Sequence, residues 1–358
     1  MRILILSGYD AESHQRWREG LAAHFTDIAF EVIALPPRWF AWRSGGGALS
    51  VATHYREELR QSFDLVVCTS VLNIASLRGL VPELSQTPII SYFHENQFAY
   101  PVRSGQRDAR MLMQTIESAL SADMLVFNSH YNRRTFIDGA AELLDKMPDL
   151  APDVRPCFEH KSRVVPVAVS PRFFMGEQTR EPRLVWNHRW EWDKAPERLF
   201  GALRVLKKRG VQPRVAFVGQ SFREIPVEIT QGLREFSDQI DVQGYLDAQR
   251  YRSLLSKSSH VVSTALHEFQ GLAVLEAVAA GCVPIVPDRL SYQEQFPSQY
   301  RYASVAMQDE ACALADQIER EWAAPSHAPD VRAWSWENVG PMYLEAFEAA
   351  TQAGRRID

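Results

Sequence analysis

The stretch SHVVSTALHEFQGLAVLEAVAAGCVPIVP, residues 259–287, predicts a strand, a loop, a short helix and a second strand. Gly271 is placed to open the helix, and Gly281 is placed to end it in a left-handed conformation. Both strands are short apolar runs, which are typical of parallel strands covered by helices on both faces. The segment therefore predicts one strand–helix–strand unit of a doubly wound α/β fold.

The same alternation of apolar runs and helical patterns continues along the chain. RILILS, AFEVIAL, FDLVVCTS, PIISYFH, DMLVFNS and RVVPVAV mark strands in the first half, and PRLVWNHR, RVAFVG and IDVQGYL mark further strands. The pattern restarts near residue 183, after a region at 149–182 that is rich in proline and charge. We therefore predict two doubly wound α/β domains, at 1–170 and 183–339, joined by a linker at about 171–182.

The composition is that of a soluble globular protein, with 358 residues, 46% apolar, 23% charged and a net charge of −5. No apolar run reaches the roughly 18–20 residues that a membrane span needs. MRILILSGYD reads as a first strand rather than as a signal peptide. The four cysteines lack metal-ligand spacing and are expected to be reduced thiols. We expect a cytoplasmic monomer that does not bind membranes.

Three motifs that are common in nucleotide-binding proteins are absent from the sequence. No GxGxxG follows the first strand, and no GxxxxGK[ST] or DxD triplet occurs anywhere. This disfavours a dinucleotide dehydrogenase, a P-loop phosphotransferase and a metal held by a DxD triplet on a nucleotide diphosphate. The glycine run at 45–47 follows WFAWRS rather than a strand, and we predict a flexible loop there.

The opening segment carries two glutamates, Glu268 in the loop and Glu276 on the second turn of the helix. A helix N-terminus offers free N–H groups and the positive end of the dipole, so the backbone at Gly271 and Leu272 suits a phosphate. Glu268 can then accept hydrogen bonds from hydroxyls at one end of a diphosphate, and Glu276 from a ribose at the other. The alternative is that Glu268 caps the helix and Glu276 is a solvated surface residue. The apolar neighbours of Glu276 favour a buried carboxylate with a partner.

Upstream residues extend this pattern into a family resemblance. With the Glu-x7-Glu pair, VWNHRWEWDKAPE at 185–197 resembles the donor site of the retaining GT-B glycosyltransferases of the family-four type. The resemblance implies that Arg189 and Lys194 neutralise the diphosphate of a nucleotide-sugar donor. The chain departs from the family pattern where Asn187-His188 and Ala195 replace glycines, which puts the shape of this loop in question.

The resemblance also implies a GT-B fold, an α/β architecture of two Rossmann-like domains facing a central cleft. The tail WSWENVGPMYLEAFEAA implies a C-terminal helix, at about 340–358, that crosses back to the N-terminal domain. No metal or cofactor is implied, because cations and a helix end can stabilise the leaving diphosphate. The implied catalytic residues are His94, near the transferred sugar, with Glu268, Arg189 and Lys194; a cap or turn is the alternative role of His94. The implied donor-binding residues are Gly8, Arg189, Lys194, Gly219, Gly244, Tyr245, Leu246, Glu268, Gly271, Leu272 and Glu276.

Motifs spread from residue 38 to 297 resemble one branch of this superfamily, the tRNA-queuosine mannosyltransferase-like proteins. They include RWFAWR, SVLNIASL, YFHENQFAYPV, VFNSHYNRRTF, HRWEWDKAPE and GCVPIVPDRLSYQEQFP. The resemblance implies transfer of mannose from GDP-mannose to the cyclopentenediol of queuosine in a tRNA anticodon loop. A GT-B enzyme with a small-molecule or glycan acceptor and a non-catalytic nucleotide-sugar-binding module remain as alternatives.

We expect a tRNA acceptor to bind aromatic and cationic side chains of the N-terminal half, because unstacked bases pack on aromatic or guanidinium planes. RWFAWR, YPVR and HYNRR supply such pairs, including Tyr100 with Arg103. Ordinary surface arginines over buried tryptophans are the alternative, and Asn128 and Ser129 are equally suited to capping a helix. The predicted acceptor-binding residues are Ser13, His14, Arg38, Trp39, Trp42, Arg43, Asn96, Asn128, Ser129 and Arg133.

Overall fold

A computed structural model describes residues 1–102, 107–148, 153–174, 180–222, 224–304 and 306–354. The chain divides into two compact units, one formed by Met1–Ala168 with Trp336–Asp358 and the other by Val169–Ser335. Each unit is built on a six-stranded parallel sheet with helices in the connections. The predicted α/β fold with two doubly wound sheets is confirmed.

The first unit has the strand order β2-β1-β3-β4-β5-β6. The inner strands β3 and β4 are buried along their whole length because helices cover both faces of the sheet, whereas the edge strand β2 is mostly exposed or half-buried. The strands are β1 (Arg2–Ser7), β2 (Ala29–Ala34), β3 (Leu65–Thr69), β4 (Ile89–Phe93), β5 (Met124–Phe127) and β6 (Ser162–Val164). The helices are α1 (Glu12–His24), α2 (Phe40–His54), α3 (Arg56–Leu59), α4 (Ile74–Leu80), α5 (Ala109–Ser121), α6 (His130–Leu144) and α7 (Arg155–Lys161).

The second unit has the strand order β12-β11-β10-β7-β8-β9. Two apolar clusters pack against the faces of this sheet, one around Val185 and Val261 and one around Trp186 and Phe217. The strands are β7 (Glu181–Trp186), β8 (Arg214–Val218), β9 (Ile240–Gly244), β10 (Ser258–Val262), β11 (Val283–Pro287) and β12 (Arg301–Tyr302). The helices are α8 (Pro196–Lys208), α9 (Val227–Glu235), α10 (Ala248–Lys257), α11 (Leu272–Ala279), α12 (Tyr292–Gln295) and α13 (Met307–Ala323).

The last helix, α14 (Trp336–Gly354), belongs to the first unit, to which the chain returns after the second unit is complete. It begins four residues before the predicted start at about 340. The division between the units at Ala168 and Val169 lies before the predicted linker at 171–182. Phe173 explains this, because its side chain is fully buried in the apolar core of the second unit. Residues 175–179 of that linker are outside the described residues.

The prediction of a flexible loop at residues 45–47 is wrong, because all three glycines lie inside α2. Gly46 and Gly47 are buried, and a Cβ at Gly47 would come within 3.0 Å of Leu72 Cδ2. A Cβ at Gly46 would come within 3.0 Å of the Trp42 indole. Close packing therefore offsets the low helix propensity of glycine here. Across the described ranges, no helix combines the length and hydropathy needed to cross a membrane.

Candidate active site

The candidate active site of the second unit lies beyond the ends of β7 and β10. The order of the sheet reverses at β7, because β8 pairs with one edge of this strand and β10 with the other. Ligands of open α/β sheets bind at such a switch point, outside the carboxyl ends of the strands. Residues 187–194 follow β7 and residues 263–271 follow β10, so both segments with predicted donor contacts start there.

Hydrogen bonds fasten these two segments to each other. The Leu266 N–H donates to the Asp193 carbonyl at 2.8 Å, and the Thr264 hydroxyl donates to the Lys194 carbonyl at 2.7 Å. The indole N–H of Trp186, a fully buried residue, donates to the same Thr264 hydroxyl at 2.9 Å. The backbone that carries Lys194 is therefore held against the loop that leads to Glu268.

Lys194 is a buried cation between two carboxylates. Its Nζ donates to the His267 carbonyl at 2.7 Å and lies 3.2 Å from Asp193 Oδ2 and 3.4 Å from Glu268 Oε2. The Lys194 and Asp193 side chains are 6% and 1% exposed, whereas that of Glu268 is 21% exposed. The structure thus brings the predicted residues Lys194 and Glu268 together, and Glu268 is the member of this trio that reaches solvent.

The ionisation of the trio follows from its mutual contacts. Burial would lower the pKa of Lys194, but Glu268 and Asp193 outweigh that effect and raise it above the usual lysine value. Burial would raise the pKa of Glu268, and the positive field of Lys194, with smaller contributions from His188 and His267, instead lowers it. The pKa of Asp193 is lowered far below its usual value by the same lysine, against the effect of burial. All three groups are therefore charged at neutral pH.

Arg189 is the exposed cation of the site. Its side chain is 46% exposed, and its guanidinium lies 3.0 Å from Glu191 Oε2. The turn that carries Arg189 packs closely against the end of β8. Gly219 has φ +153, and a Cβ at this position would overlap the His188 carbonyl oxygen. The predicted residue Gly219 therefore permits the close approach of two backbones that positions Arg189.

The start of α11 agrees with the sequence prediction. Gly271 is the residue before the helix and has φ +68, and Gly281 follows the helix with φ +97, so both glycines adopt left-handed conformations. A Cβ at Gly271 would lie 2.9 Å from Tyr292 Cε1, so glycine is also required by packing. The backbone of Gly271 hydrogen-bonds to Glu268, which contributes to the lowered pKa of this carboxyl. Glu268 therefore binds the backbone of the residue that precedes the helix while it also contacts Lys194.

Glu276 is buried, with 3% of its surface exposed, so the alternative of a solvated surface residue is wrong. The Tyr251 hydroxyl donates to Glu276 Oε2 at 3.3 Å. Asn187 donates from Nδ2 to the Tyr251 hydroxyl at 2.9 Å and to the Ala273 carbonyl at 2.7 Å. Asn187, which together with His188 replaces a glycine of the family pattern, thus holds α11 and the tyrosine that contacts Glu276 in place.

The other departure from the family pattern, Ala195, keeps the backbone conformation that glycine favours. Ala195 has φ +45 and ψ +54, a left-handed conformation, and it lies between the short 3-10 turn Trp192–Lys194 and α8. An alanine in this conformation costs about 1–2 kcal/mol. The loop therefore keeps, at Ala195, a backbone conformation that the glycine of the family pattern would also adopt.

The end of β9 holds the residues predicted to contact a nucleobase. Gly244 has φ +91 and open space on its Cβ side, and Tyr245 is 64% exposed. Leu246 packs against the apolar core instead. The exposed ring of Tyr245 is therefore available to a ligand, whereas the Gly244 carbonyl already accepts the Gly219 N–H at 3.1 Å.

The corresponding switch point of the first unit lies between β1 and β3. Gly8 follows β1 there; its N–H donates to the Thr69 hydroxyl at 3.0 Å, and a Cβ would lie 2.7 Å from Leu72 Cγ. His94 follows β4 and stacks on His14, with 4.0 Å between the ring centroids. Burial, and then the neighbouring His14, lower the pKa of His94 well below its usual value, so the ring is neutral at physiological pH.

An aromatic hydrogen-bond network from α14 supports His94. The Tyr343 hydroxyl accepts the Trp17 indole N–H at 2.9 Å, and it lies 2.9 Å from the Tyr92 hydroxyl and 3.0 Å from the Pro166 carbonyl. The rings of Trp17 and Tyr92 lie 4.9 and 4.7 Å from that of His94. The returning helix therefore fixes the rings that surround the predicted catalytic histidine, a role that the sequence did not reveal.

The predicted acceptor-binding residues of RWFAWR separate into exposed and buried side chains. Trp39 and Trp42 are 67% and 55% exposed, and the Arg38 guanidinium lies over the Trp39 ring at 4.6 Å. The tryptophans are therefore not buried under surface arginines, as the alternative required. Arg43 differs from them, because it is only 7% exposed and its side chain turns into the unit, where its Nε has no hydrogen-bond partner among the described residues.

Four further predicted acceptor residues use their polar groups inside the first unit. Asn96 and Asn128 both hydrogen-bond to Asn132 and are 2% and 5% exposed. Ser129 caps α6, because its hydroxyl accepts the Asn132 N–H at 2.9 Å. Arg133 donates to the Ser162 hydroxyl and the Glu159 carbonyl. These contacts support structural roles. Ser13 is exposed on α1, and Arg103 lies outside the described residues.

The sequence reading missed three buried residues of the donor site. Asp193 pairs with Lys194, the Tyr292 hydroxyl donates to Ser263 beside the start of α11, and His267 lies 3.7 Å from Asp193. Asp193 and His267 are next to the motif residues Lys194 and Glu268 in sequence, and this adjacency could have identified them as site residues. Within the described ranges, no group of three or more His, Cys, Asp or Glu side chains is arranged to hold a metal ion. Metal-independent transfer stays a prediction.

Comparison with protein families gives two matches that divide the chain. Residues 2–169 match the family described as tRNA-queuosine alpha-mannosyltransferase N-terminal, and residues 172–326 match glycosyl transferases group 1. The tRNA-queuosine alpha-mannosyltransferase of Drosophila melanogaster is 34% identical over 84% of this chain and 83% of its own length. A GDP-mannose:cellobiosyl-diphosphopolyprenol alpha-mannosyltransferase of Xanthomonas oryzae is 22% identical over 52% of this chain and 53% of its own length.

Solved structures with the same fold are distant in sequence. The Anabaena protein HepE, in complex with UDP and glucose, has a TM-score of 0.70 at 13% identity and covers 98% of this chain and 100% of its own. The sucrose-phosphate synthase of Thermosynechococcus elongatus has a TM-score of 0.71 at 16% identity with the same coverage. These two structures show the fold, which is that of the GT-B glycosyltransferases.

Proposed function

Because the chain belongs to the tRNA-queuosine alpha-mannosyltransferase family of glycosyltransferases, we propose that it transfers mannose from GDP-mannose to the cyclopentenediol of queuosine in a tRNA anticodon loop. The observation that carries the proposal is the arrangement of Lys194, Glu268 and Gly271 at the switch point of the second unit. A buried cation, a partly exposed carboxylate and a helix N-terminus meet there, and each matches one part of a nucleotide sugar.

The donor diphosphate is assigned to Arg189, Lys194 and the N-terminus of α11. The exposed Arg189 guanidinium can form paired hydrogen bonds to phosphate oxygens, while Lys194 contributes a fixed point charge. The Leu272 N–H at the start of α11 adds a donor and the helix adds the positive end of its dipole, while the Gly271 N–H already donates to Glu268. As the bond to the sugar breaks, negative charge grows on the diphosphate, and these groups stabilise it without a metal.

The two glutamates are assigned to hydroxyl groups at opposite ends of the diphosphate. Glu268 is partly exposed and already ionised, so it can accept hydrogen bonds from the hydroxyls of the transferred sugar. Glu276 is buried on α11 near Tyr251, and we assign it to the ribose. Gly244 and the exposed Tyr245 at the end of β9 are assigned to the nucleobase.

The proposed reaction retains the configuration of the anomeric carbon. The acceptor hydroxyl attacks the anomeric carbon on the face from which the diphosphate leaves, and its proton passes to the departing phosphate oxygen. In this route no side chain has to act as a general base. His94, which burial keeps neutral, is assigned to a hydrogen bond with the transferred sugar rather than to proton transfer.

A tRNA acceptor is supported by the exposed aromatic and cationic side chains of the first unit. Arg38, Trp39 and Trp42 form one such surface. Unpaired anticodon bases can stack on the indoles, and the guanidinium can contact a phosphate. We place this activity in the cytoplasm as part of the proposal.

The test is to incubate the protein with GDP-mannose and queuosine-containing tRNA, digest the tRNA to nucleosides and measure a mass increase of one hexose. UDP-glucose and GDP-glucose serve as competing donors, and free queuosine nucleoside serves as a competing acceptor. Arg189→Ala should reduce GDP affinity about 10–100-fold through loss of a charge-assisted contact. Arg234→Ala, an exposed arginine on α9, is the matched control.

Two results would contradict the proposal. Unchanged GDP binding after Arg189→Ala would remove the assigned diphosphate site. Equal glycosylation of free nucleoside and tRNA, together with no effect of changes at Trp39 and Trp42, would favour a small-molecule acceptor. RNA binding that does not weaken with added salt would also argue against tRNA, because phosphate contacts release counterions.

A further inference from the structure

The start of α2 contains a buried arginine, Arg43. Only 7% of its surface is exposed, and its Nε is out of contact with solvent. Among the described residues, its guanidinium has neither an ion pair with a carboxylate nor a hydrogen bond to any acceptor. The two other cations of comparable burial in the described ranges, Arg183 and Lys194, both contact carboxylates. Arg43 is therefore a buried cation whose charge the fold leaves uncompensated.

An uncompensated buried charge opposes folding, because the side chain loses its hydration and gains no attraction in return. The equally buried Arg183 avoids this cost, since its Nη2 lies 2.8 Å from Asp241 Oδ2. A ligand that supplies negative charge would give Arg43 the same compensation. A neutral acceptor would occupy the N–H groups and leave the charge unbalanced, so an anionic group is the better match.

Arg43 faces the switch point of the first unit. It lies on the same side of α2 as Phe40, three residues before it, and Gly47, four residues after it. The Phe40 ring contacts the ring of Tyr9 in the loop after β1, with 5.5 Å between the centroids. A Cβ at Gly47 would lie 3.0 Å from Leu72 in the loop after β3. This side of the helix therefore covers the loops after β1 and β3, between which the order of the sheet reverses.

The position of Arg43 favours a phosphate of the acceptor over the diphosphate of the donor. The Arg43 N–H donates to the Trp39 carbonyl at 3.0 Å, so the two residues are one helical turn apart. Trp39 is 67% exposed and belongs to the surface assigned to unpaired bases, whereas the residues assigned to the donor diphosphate are in the second unit. A stacking surface and a cation one turn away match the base and the backbone of one RNA strand.

We propose that the Arg43 guanidinium binds a phosphodiester group of the acceptor RNA. A guanidinium can donate two parallel N–H bonds to phosphate oxygens, which neutralises the charge and also fixes the position of the strand. Such a contact positions the RNA and does not read its sequence. The inference rests on the proposed function, since it takes the acceptor to be a tRNA, and it gives Arg43 no part in bond formation.

The test measures tRNA binding by an Arg43→Met variant, which keeps a long unbranched side chain and removes the charge. Two tRNAs serve as probes, one with queuosine and one with guanosine at the same anticodon position. Arg43→Met should weaken the binding of both by the same factor, roughly 10–100-fold, the effect of one charge-assisted contact, and should leave GDP affinity unchanged. The slope of log K against log salt concentration should become shallower by about 0.7, the value for one phosphate of a single strand.

Thermal unfolding of the free protein separates a ligand contact from a structural one. Arg43→Met should melt at or above the wild-type Tm, because it removes a buried charge that has no partner in the fold. Arg43→Lys keeps a charge without the planar fork and should bind tRNA with intermediate affinity. Lys146→Met, at an exposed lysine beyond the end of α6, is the matched control and should leave the tRNA affinity and the salt slope unchanged.

The outcomes separate this inference from the proposed function. Unchanged tRNA affinity and salt slope in Arg43→Met would overturn the assignment, and so would a Tm well below that of the wild type, because that result indicates a structural role. Weaker GDP binding would assign the guanidinium to the donor diphosphate, and a loss for the queuosine tRNA alone would assign it to the modified base; either result overturns the inference. If Arg43→Met behaves as expected but the wild type transfers no hexose, the phosphate site stands and the proposed activity is contradicted. A wild type that binds neither tRNA contradicts both.

Discussion

Replacing Lys194 with methionine should destabilise the second unit, because it removes the cation from a buried cluster that keeps both carboxylates. Lys194 Nζ lies 3.2 Å from Asp193, which is 1% exposed, and 3.4 Å from Glu268. Breaking a buried ion pair by removing one partner costs roughly 3–5 kcal/mol, because the remaining charges lose their compensation. Since Glu268 is partly exposed, we expect the lower end of that range. For a unit of this size that corresponds to a fall in Tm of about 6–12 °C.

The loss should depend on pH. Glu268 and Asp193 have folded-state pKa values below their usual ones, so their contribution to wild-type stability is present at neutral pH and is lost as the pH falls through those values. In Lys194→Met the cation is absent and the same carboxyls have raised pKa values, so protonation stabilises the variant as the pH falls. The difference between the two proteins should therefore be largest near pH 7.5 and smaller at pH 5.

Thermal unfolding at pH 7.5 and pH 5, followed by calorimetry, measures both effects. Lys208→Met, at an exposed lysine at the end of α8, is the matched control and should melt within about 1 °C of the wild type. The double variant Lys194→Met with Glu268→Gln should recover part of the loss, because one uncompensated carboxylate is gone. A Lys194→Met protein that melts with the wild type at pH 7.5, or that loses as much at pH 5 as at pH 7.5, would refute this account of the cluster.

Three further predictions follow from the same contacts. Glu276→Ala should weaken GDP and GDP-mannose binding alike, whereas Glu268→Ala should leave GDP affinity nearly intact and lower turnover, as titration and initial rates would show. Burial lowers the pKa of His188 to about 4, so the free energy of unfolding should decrease as the pH falls from about 6.5 to 4. His188→Asn should reduce this decrease by up to about 3 kcal/mol, as urea unfolding at several pH values would measure. Tyr343→Phe should lower kcat and change the KM for GDP-mannose little, because the loss of its hydroxyl loosens the rings around His94.

Each of these predictions has an opposing result. Equal loss of GDP binding in both glutamate variants would show that the sugar and ribose ends are misassigned. If the stability of His188→Asn depends on pH as that of the wild type does, groups other than His188 cause the pH dependence. For Tyr343→Phe, an unchanged kcat would separate the aromatic network from the predicted catalytic histidine.

The family and the fold were available from the sequence. Short apolar runs predicted two parallel sheets, and the motifs around Arg189, Lys194 and Glu268 predicted the family, which the family matches and the Drosophila relative confirm. The left-handed conformation of Gly281 and the position of Gly271 at the start of α11 were also predicted, because local backbone geometry at a helix end depends on a few adjacent residues. Periodicity and spacing record such local requirements directly.

Contacts between distant segments were decided only by the tertiary structure. Asp193 and Glu268 are far apart in sequence yet share one lysine, and Tyr343 meets Trp17 only because α14 returns to the first unit. The run of glycines in α2 is a second example, because its local pattern predicted a loop, whereas packing against Leu72 favours a helix there. Burial and pairing depend on which side chains the fold brings within hydrogen-bond distance, and one-dimensional spacing does not contain that information.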